Sequence, residues 1–245
     1  MAHVHIAKGV KLDMLNGPLL KNILVFAIPL YFVGVFQQLF NAADTAVAGH
    51  FGSANALAAV GTNTQIIALI VTVSSGLPIG ANVLIAKHVG RNEAEKLPAA
   101  VQTAMRLAMC IGVIGLLLGQ IAAAPLLRLI RTPEEIFDAA ALYLRIYMLG
   151  YPFLLLYDFG AACLRARGDS RHPFLALLLS GFANVGLNLL FTAGLRMGVA
   201  GVAIATDLST MLSAFLVLRR LAKDAVFRFL LSSVRGARAM ARGAF

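Results

Sequence analysis

Long apolar runs, separated only by short charged or glycine- and proline-bearing connections, constrain this chain more than any other feature. They fall at about 22–48, 56–86, 99–124, 139–160, 174–193 and 199–218. About 20 helical residues, rising 1.5 Å each, cross a ~30 Å hydrocarbon layer. Period-two alternation, the mark of barrel strands, is missing from these runs. The expected fold class is therefore all-α: a polytopic membrane protein with a six-helix transmembrane bundle at 22–218, a polar lead at 1–21 and a basic tail at 219–245.

Composition agrees. Sixty per cent of residues are hydrophobic, only 13% are charged and mean hydropathy is +0.83, against roughly 25% charged in soluble proteins. The net charge of +10 sits in loops and tails, so it points to membrane lipids at the bilayer surface and argues against nucleic acid. Cys110 and Cys163 lie in apolar surroundings and read as small packing residues. His3, His5, His50, His88 and His172 fall in loops and tails without metal-ligand spacing. Residues 1–21 lack a separate apolar core before a cleavage site, so the first span is expected to direct insertion.

Basic residues set the expected orientation. One set of connections holds Lys8, Lys11 and Lys21, then Lys87, Arg91 and Lys96, then Arg165, Arg167 and Arg171, with seven more after the last span; the opposite set holds Arg128, Arg131 and Arg196. Such asymmetry predicts both termini on the cytoplasmic side of the plasma (cytoplasmic) membrane. In the tail, Arg235, Arg238 and Arg242 recur on one helical face, with Phe227, Leu230, Leu231 and Val234 supplying apolar surface. That pattern suits a helix lying on the inner leaflet.

Several local signals punctuate the spans. Pro29 predicts a bend in the first. Gly76-Leu77-Pro78-Ile79-Gly80 and the Gly115/Gly119 pair carry the spacing of close helix contact. Thr132-Pro133-Glu134-Glu135 predicts a helix start with a threonine cap.

The chemistry concentrates in the first span. Gln37, Asn41 and Asp44, at i, i+4 and i+7, share one face of an otherwise apolar helix, with Gln38 beside them. An ionised carboxylate has no comfortable place in lipid. Asp44 is therefore expected to face a wet or protein-lined interior, pair with another group, or take up a proton.

Four stretches in order, QQLFNAADTAVAGHFG, GLPIGANVLIAKHVGRNEAEK, LRARGDSRHP and NVGLNLLFTAGLRMGVAGVAIATDLS, resemble the first half of the multidrug and toxic compound extrusion (MATE) transporters. The resemblance runs from about Met14 to Arg220. It implies one six-helix lobe of a two-lobe, twelve-helix exporter of cationic or amphipathic small molecules, coupled to H⁺ or Na⁺ with no other cofactor. It also implies an end before the seventh helix, so that the chain is expected to be either a fragment or a half that pairs with a second lobe or another copy of itself. By the same resemblance Asp44 matches the helix-one acid of the ion site, Gln37 its neighbour, Asn184 and Asn188 a helix-five polar pair, and Thr206 a helix-six hydroxyl. Some members carry aspartate where this chain has Asn188, which weakens the case for a two-carboxylate Na⁺ site. LRARGDSRHP reads as a loop fixing how the fourth and fifth spans meet.

Two acids depart from the family pattern. Asp207 stands beside Thr206, about nine residues into its span and ~13 Å deep, where an acid is rare unless it faces a cavity. Asp158 lies two turns before Arg165, on the same face, so an interfacial ion pair competes with a cavity role. The expected activity is transport and not catalysis. A lipid-modifying enzyme would need paired acids with a basic cluster, a metal-spaced histidine set or an activated nucleophile, and none stands in one span or loop. A non-transporting interaction subunit is the other alternative.

Overall fold

A computed structural model describes residues 19–51 and 54–223 of the chain, and their regular structure is entirely helical. Helices α1 (Leu19–Phe51), α2 (Ala54–Gly90) and α3 (Leu97–Leu129) are long and single. Next come α4 (Glu134–Leu149) and α5 (Tyr151–Ala166), then α6 (Arg171–Asn188), which passes directly into a π-helical turn at Leu189–Gly194, and finally α7 (Gly198–Lys223). Four of these helical segments are long and apolar enough to span a bilayer, or five if the bent α4–α5 pair counts as one. The protein is a multi-pass, all-α membrane protein. The amphipathic tail and most of the polar lead expected from the sequence lie outside the described residues.

The fourth apolar run is not one straight helix. It breaks at Gly150, where α4 and α5 meet at 43°. Pro152, in the first turn of α5, explains the break: it has no backbone donor and its ring crowds the carbonyl of Met148 four residues earlier, so the hydrogen-bond ladder of α4 cannot run on through it. The expected threonine cap is also corrected. Pro133 occupies the cap position of α4 with no side-chain cap bond, and the Thr132 hydroxyl is buried without a partner. Glu134 and Glu135 do fall in the first turn, where acids favour the helix dipole.

Packing at the bend explains one glycine pair and leaves the other open. On α3, Gly112, Gly115 and Gly119 face Pro152, the Tyr151 ring and Met148, and a Cβ on any of them would overlap those atoms. These small residues admit the bent helix pair against α3. By contrast, Gly76 and Gly80 on α2 have open space around them, so the contact expected there is not made among the described residues.

Polar groups on α2 tie it to the same bend. Asn63, fully buried, donates to the carbonyls of Ala59 and Ala140, at 2.9 and 3.0 Å. Ser74 shares a 2.8 Å hydrogen bond with the Tyr151 hydroxyl, and Asn82 donates to the Ala162 carbonyl at 2.9 Å. In apolar surroundings such interhelical bonds fix register as well as adding stability. The core is built mainly from small and aliphatic residues such as Ala108, Leu127, Leu155, Ala161, Ala203 and Val217, with Phe159 and the Tyr143, Tyr151 and Tyr157 rings among them.

Candidate functional site

The site is assembled where α1 lies beside α6. Phe36 meets Phe174 at 5.9 Å between ring centroids, and one helical turn later Phe40 meets Phe182 at 6.0 Å. Offset and edge-on aromatic pairs of this kind contribute about 0.5–1.5 kcal/mol beyond their burial. Gly181 makes room for the second contact, because a Cβ there would fall inside the Phe40 ring. The next turn of α1 presents Asp44, and α6 presents Asn188 to it.

Asn188 uses its amide nitrogen twice, donating to Asp44 Oδ1 at 2.5 Å and to Asn184 Oδ1 at 3.3 Å. Asn184 and Asn188 are buried and Asp44 is half-buried. Hydrogen bonds to a charged group are the stronger kind, so an ionised Asp44 is held in place by this amide. Two further oxygens in the same stretch are unspent. Asn188 Oδ1 and Thr192 Oγ1 are buried with no hydrogen-bond partner. Native structures leave few such groups, and an unfilled one calls for an ion or a water.

Thr192 was not a sequence candidate, although the signal was present. Asn184, Asn188 and Thr192 are spaced i, i+4 and i+8 along one helix face. The π turn reinforces it: the Leu195 amide donates to the Leu190 carbonyl five residues back, at 2.9 Å. Such turns re-aim side chains and recur at functional sites.

The remaining sequence candidates lie elsewhere. Thr206 donates to the carbonyl of Val202 within its own helix, at 3.0 Å. Gln37 is exposed on α1, and the Asn41 side chain lies outside the described residues. Asp207 faces Gly150 at the α4–α5 break, so closely that a Cβ on Gly150 would strike its carboxylate. Asp158 lies within electrostatic reach of Arg165 and of Tyr147, but among the described residues it forms no ion pair with Arg165. Tyr143 and Tyr147 on α4, neither a sequence candidate, lie within electrostatic reach of both Asp44 and Asp207.

A family model described as MatE matches residues 29–190, which include Asp44, Asn184 and Asn188. The chain belongs to the MatE family. Among MatE relatives it is 31% identical over 202 residues to the probable multidrug resistance protein YoeA of Bacillus subtilis, covering 81% of this chain and 43% of that one. It is 26% identical over 205 residues to a FAD transporter of Shewanella oneidensis, covering 82% and 45%. A crystal structure of MATE in the bent conformation superposes with a TM-score of 0.79 at 26% identity, over 86% of this chain and 47% of that chain. An outward-facing multidrug resistance MATE transporter gives the same TM-score over 88% and 48%. The chain thus spans about half the length of the MatE proteins it matches. These relatives are transporters, and this chain shares their family and fold.

Proposed function

We propose that this chain is the first lobe of an H⁺- or Na⁺-coupled exporter of cationic or amphipathic small molecules, with Asp44 as its exchange carboxylate. The observation that carries the proposal is the meeting of Asp44 on α1 with Asn188 and Asn184 on α6. An acid inside a membrane bundle is expensive and is kept where a cation or proton comes and goes. The chemistry of the groups on these two helices suits a small cation: a carboxylate on α1, and amide oxygens and a hydroxyl at Asn184, Asn188 and Thr192, are the hard oxygen ligands that alkali and alkaline-earth ions favour.

The exchange follows from charge. Ionised Asp44 attracts a cation, while Asn188 keeps the carboxylate oriented. A proton or a competing cation arriving at the carboxylate cancels that attraction and frees the cargo. The gate must come from a second lobe, since a transporter cavity lies between two repeats that rock against each other. A continuation of the same polypeptide, a companion half or a second copy of this chain can supply it, a two-fold pair being the simplest closed assembly of copies. The membrane is the plasma membrane, with both ends of the chain on its cytoplasmic side.

The experiment is reconstitution with a fluorescent organic cation under an imposed pH or Na⁺ gradient, for the chain alone and for the chain with a companion half. Uptake should require both lobes and a gradient, and the effective gradient identifies the coupling ion. Asp44→Asn should abolish that uptake while insertion remains intact. Full activity of Asp44→Asn removes Asp44 from the mechanism, and gradient-driven export by a stable monomer removes the second lobe from it.

A further inference from the structure

Asp207 belongs to no part of the Asp44 hydrogen-bond group, yet its surroundings are built. It opens into a narrow cleft lined by Tyr147, Gly150, Tyr151, Leu154 and Thr210, at the point where α4 ends and α5 begins. Three lining residues carry hydroxyls, and two of these are committed elsewhere: Tyr151 to Ser74 at 2.8 Å, and Thr210 to the Thr206 carbonyl at 2.8 Å, while among the described residues no hydrogen bond joins the Tyr147 hydroxyl to the carboxylate. The backbone N–H of Gly150 faces the carboxylate but also donates to the Tyr147 carbonyl, at 3.1 Å. A carboxylate kept ionised away from water typically accepts two or three full N–H bonds or pairs with a cation. Asp207 has one shared donor, and among the described residues no lysine, arginine or histidine forms an ion pair with it.

The groups around it offer no other source of positive charge. From the elements packed against α7, the titratable residues that face this region are Asp44 on α1, Tyr143 and Tyr147 on α4, and Tyr151 and Asp158 on α5. Ser74 on α2 and the α6 amides Asn184 and Asn188 are uncharged. Arg220, on the same helix, lies 13 residues on, or about 20 Å away along the axis, and is engaged with Asp169.

We propose that the Asp207 carboxylate, seated against the Gly150 break, is a second proton-binding site of this lobe, separate from Asp44. Proton uptake replaces a carboxylate with a single shared donor by a neutral acid that can itself donate to an oxygen in the cleft. The cleft is too narrow for an organic cation, and the Tyr151 and Thr210 hydroxyls beside it are already hydrogen-bonded, so a proton suits it better than a metal ion does. Because the acid touches the residue at which α4 and α5 part, its protonation is read directly by the bend. This site is independent of the exchange proposed for Asp44, and its occupancy can be measured without transport.

The test is a pH titration of the protonated-carboxyl C=O stretch by infrared difference spectroscopy, with the full chain in lipid. Asp207→Asn should delete one titrating band and leave the band deleted by Asp44→Asn in place. Asp207→Glu should shift that same band and leave it titrating, which guards against a misfolded asparagine variant. Gly150→Ala, whose methyl would press on the carboxylate, should move the Asp207 band and no other. Identical titrating bands in wild type, Asp207→Asn and Asp207→Glu would overturn the proposal. So would loss of the Asp44 and Asp207 bands together in either single variant, since that makes one site of two.

Discussion

Acids in the loops and acids in the spans are handled by opposite means. Glu93, in the α2–α3 connection, contacts His88 Nδ1 at 2.6 Å and Lys96 Nζ at 3.3 Å. Asp169, in the α5–α6 connection, contacts His172 Nδ1 at 2.7 Å and Arg220 Nε at 3.4 Å. Glu93 and Asp169 are thus each matched by a histidine and a permanent cation. Asp44 and Asp207 have neutral partners instead, an asparagine amide and a glycine backbone. Loop pairs lock a connection; an interior carboxylate with neutral partners keeps its charge available for something that arrives from outside. Partner type therefore separates these two loop acids from the two interior ones.

The sharpest way to break this contrast is at Asn188. Asn188→Leu removes the bond to Asp44, and a bond to a charged group contributes about 1.5–3 kcal/mol, or roughly 10- to 150-fold in affinity. A cation-binding titration of the purified protein should weaken by about that factor; unchanged affinity would make the amide incidental. The next effect concerns packing in place of charge. Gly115→Leu should lower stability by about 1–3 kcal/mol through overpacking against Tyr151, whereas Gly76→Leu should change it little, and thermal unfolding in mild detergent compares them. Equal losses would mean that Gly76 is also covered.

Smaller effects belong to the loops. The hydrogen bond from His88, aided by Lys96, holds the Glu93 carboxyl below its usual range. Burial works to raise Asp169, but the bonds and charge of His172, with Arg220, outweigh it and hold it low as well. For groups lowered by folding, the stability contribution is present above the unfolded values of about 3.9 for Asp and 4.3 for Glu. It is lost as pH falls through the lower folded values. Acid unfolding of Asp169→Asn should accordingly be less steep below about pH 4 than that of wild type, and a matching profile would remove the pair from the account. Smallest of all, Arg220→Gln should cost at most about 1 kcal/mol, since partly solvated ion pairs contribute little. Added salt should shrink that cost further, and a salt-independent loss would point to packing of the arginine stem.

Much of this architecture was legible in the chain because a bilayer leaves few options. Backbone groups in hydrocarbon must bond within their own segment, so long apolar runs become helices, and their limits can be read to within a few residues. That Asp44 needs a polar partner was legible for the same reason: an acid on an apolar membrane helix is costly unless something pairs with it. The break at Gly150 was less visible, since its signal is a single proline two residues later amid uninterrupted hydrophobicity.

The sequence by itself determined that this is an all-helical membrane protein, that Asp44 needs a polar partner and, through its ordered motifs, that it is MatE-like. Hydropathy and helical period are local properties, and they survive without knowledge of what packs where. Only the tertiary structure decided that Asn188, 144 residues away, donates to Asp44, that Thr192 joins that face with an unspent oxygen, and that Asp207 sits against the α4–α5 break instead. Those pairings depend on how helices cross, and crossing is fixed by small contacts such as Gly181 beneath Phe40 and Gly115 beneath Tyr151. A glycine reads the same in sequence whether it meets a ring, a neighbouring helix or open space.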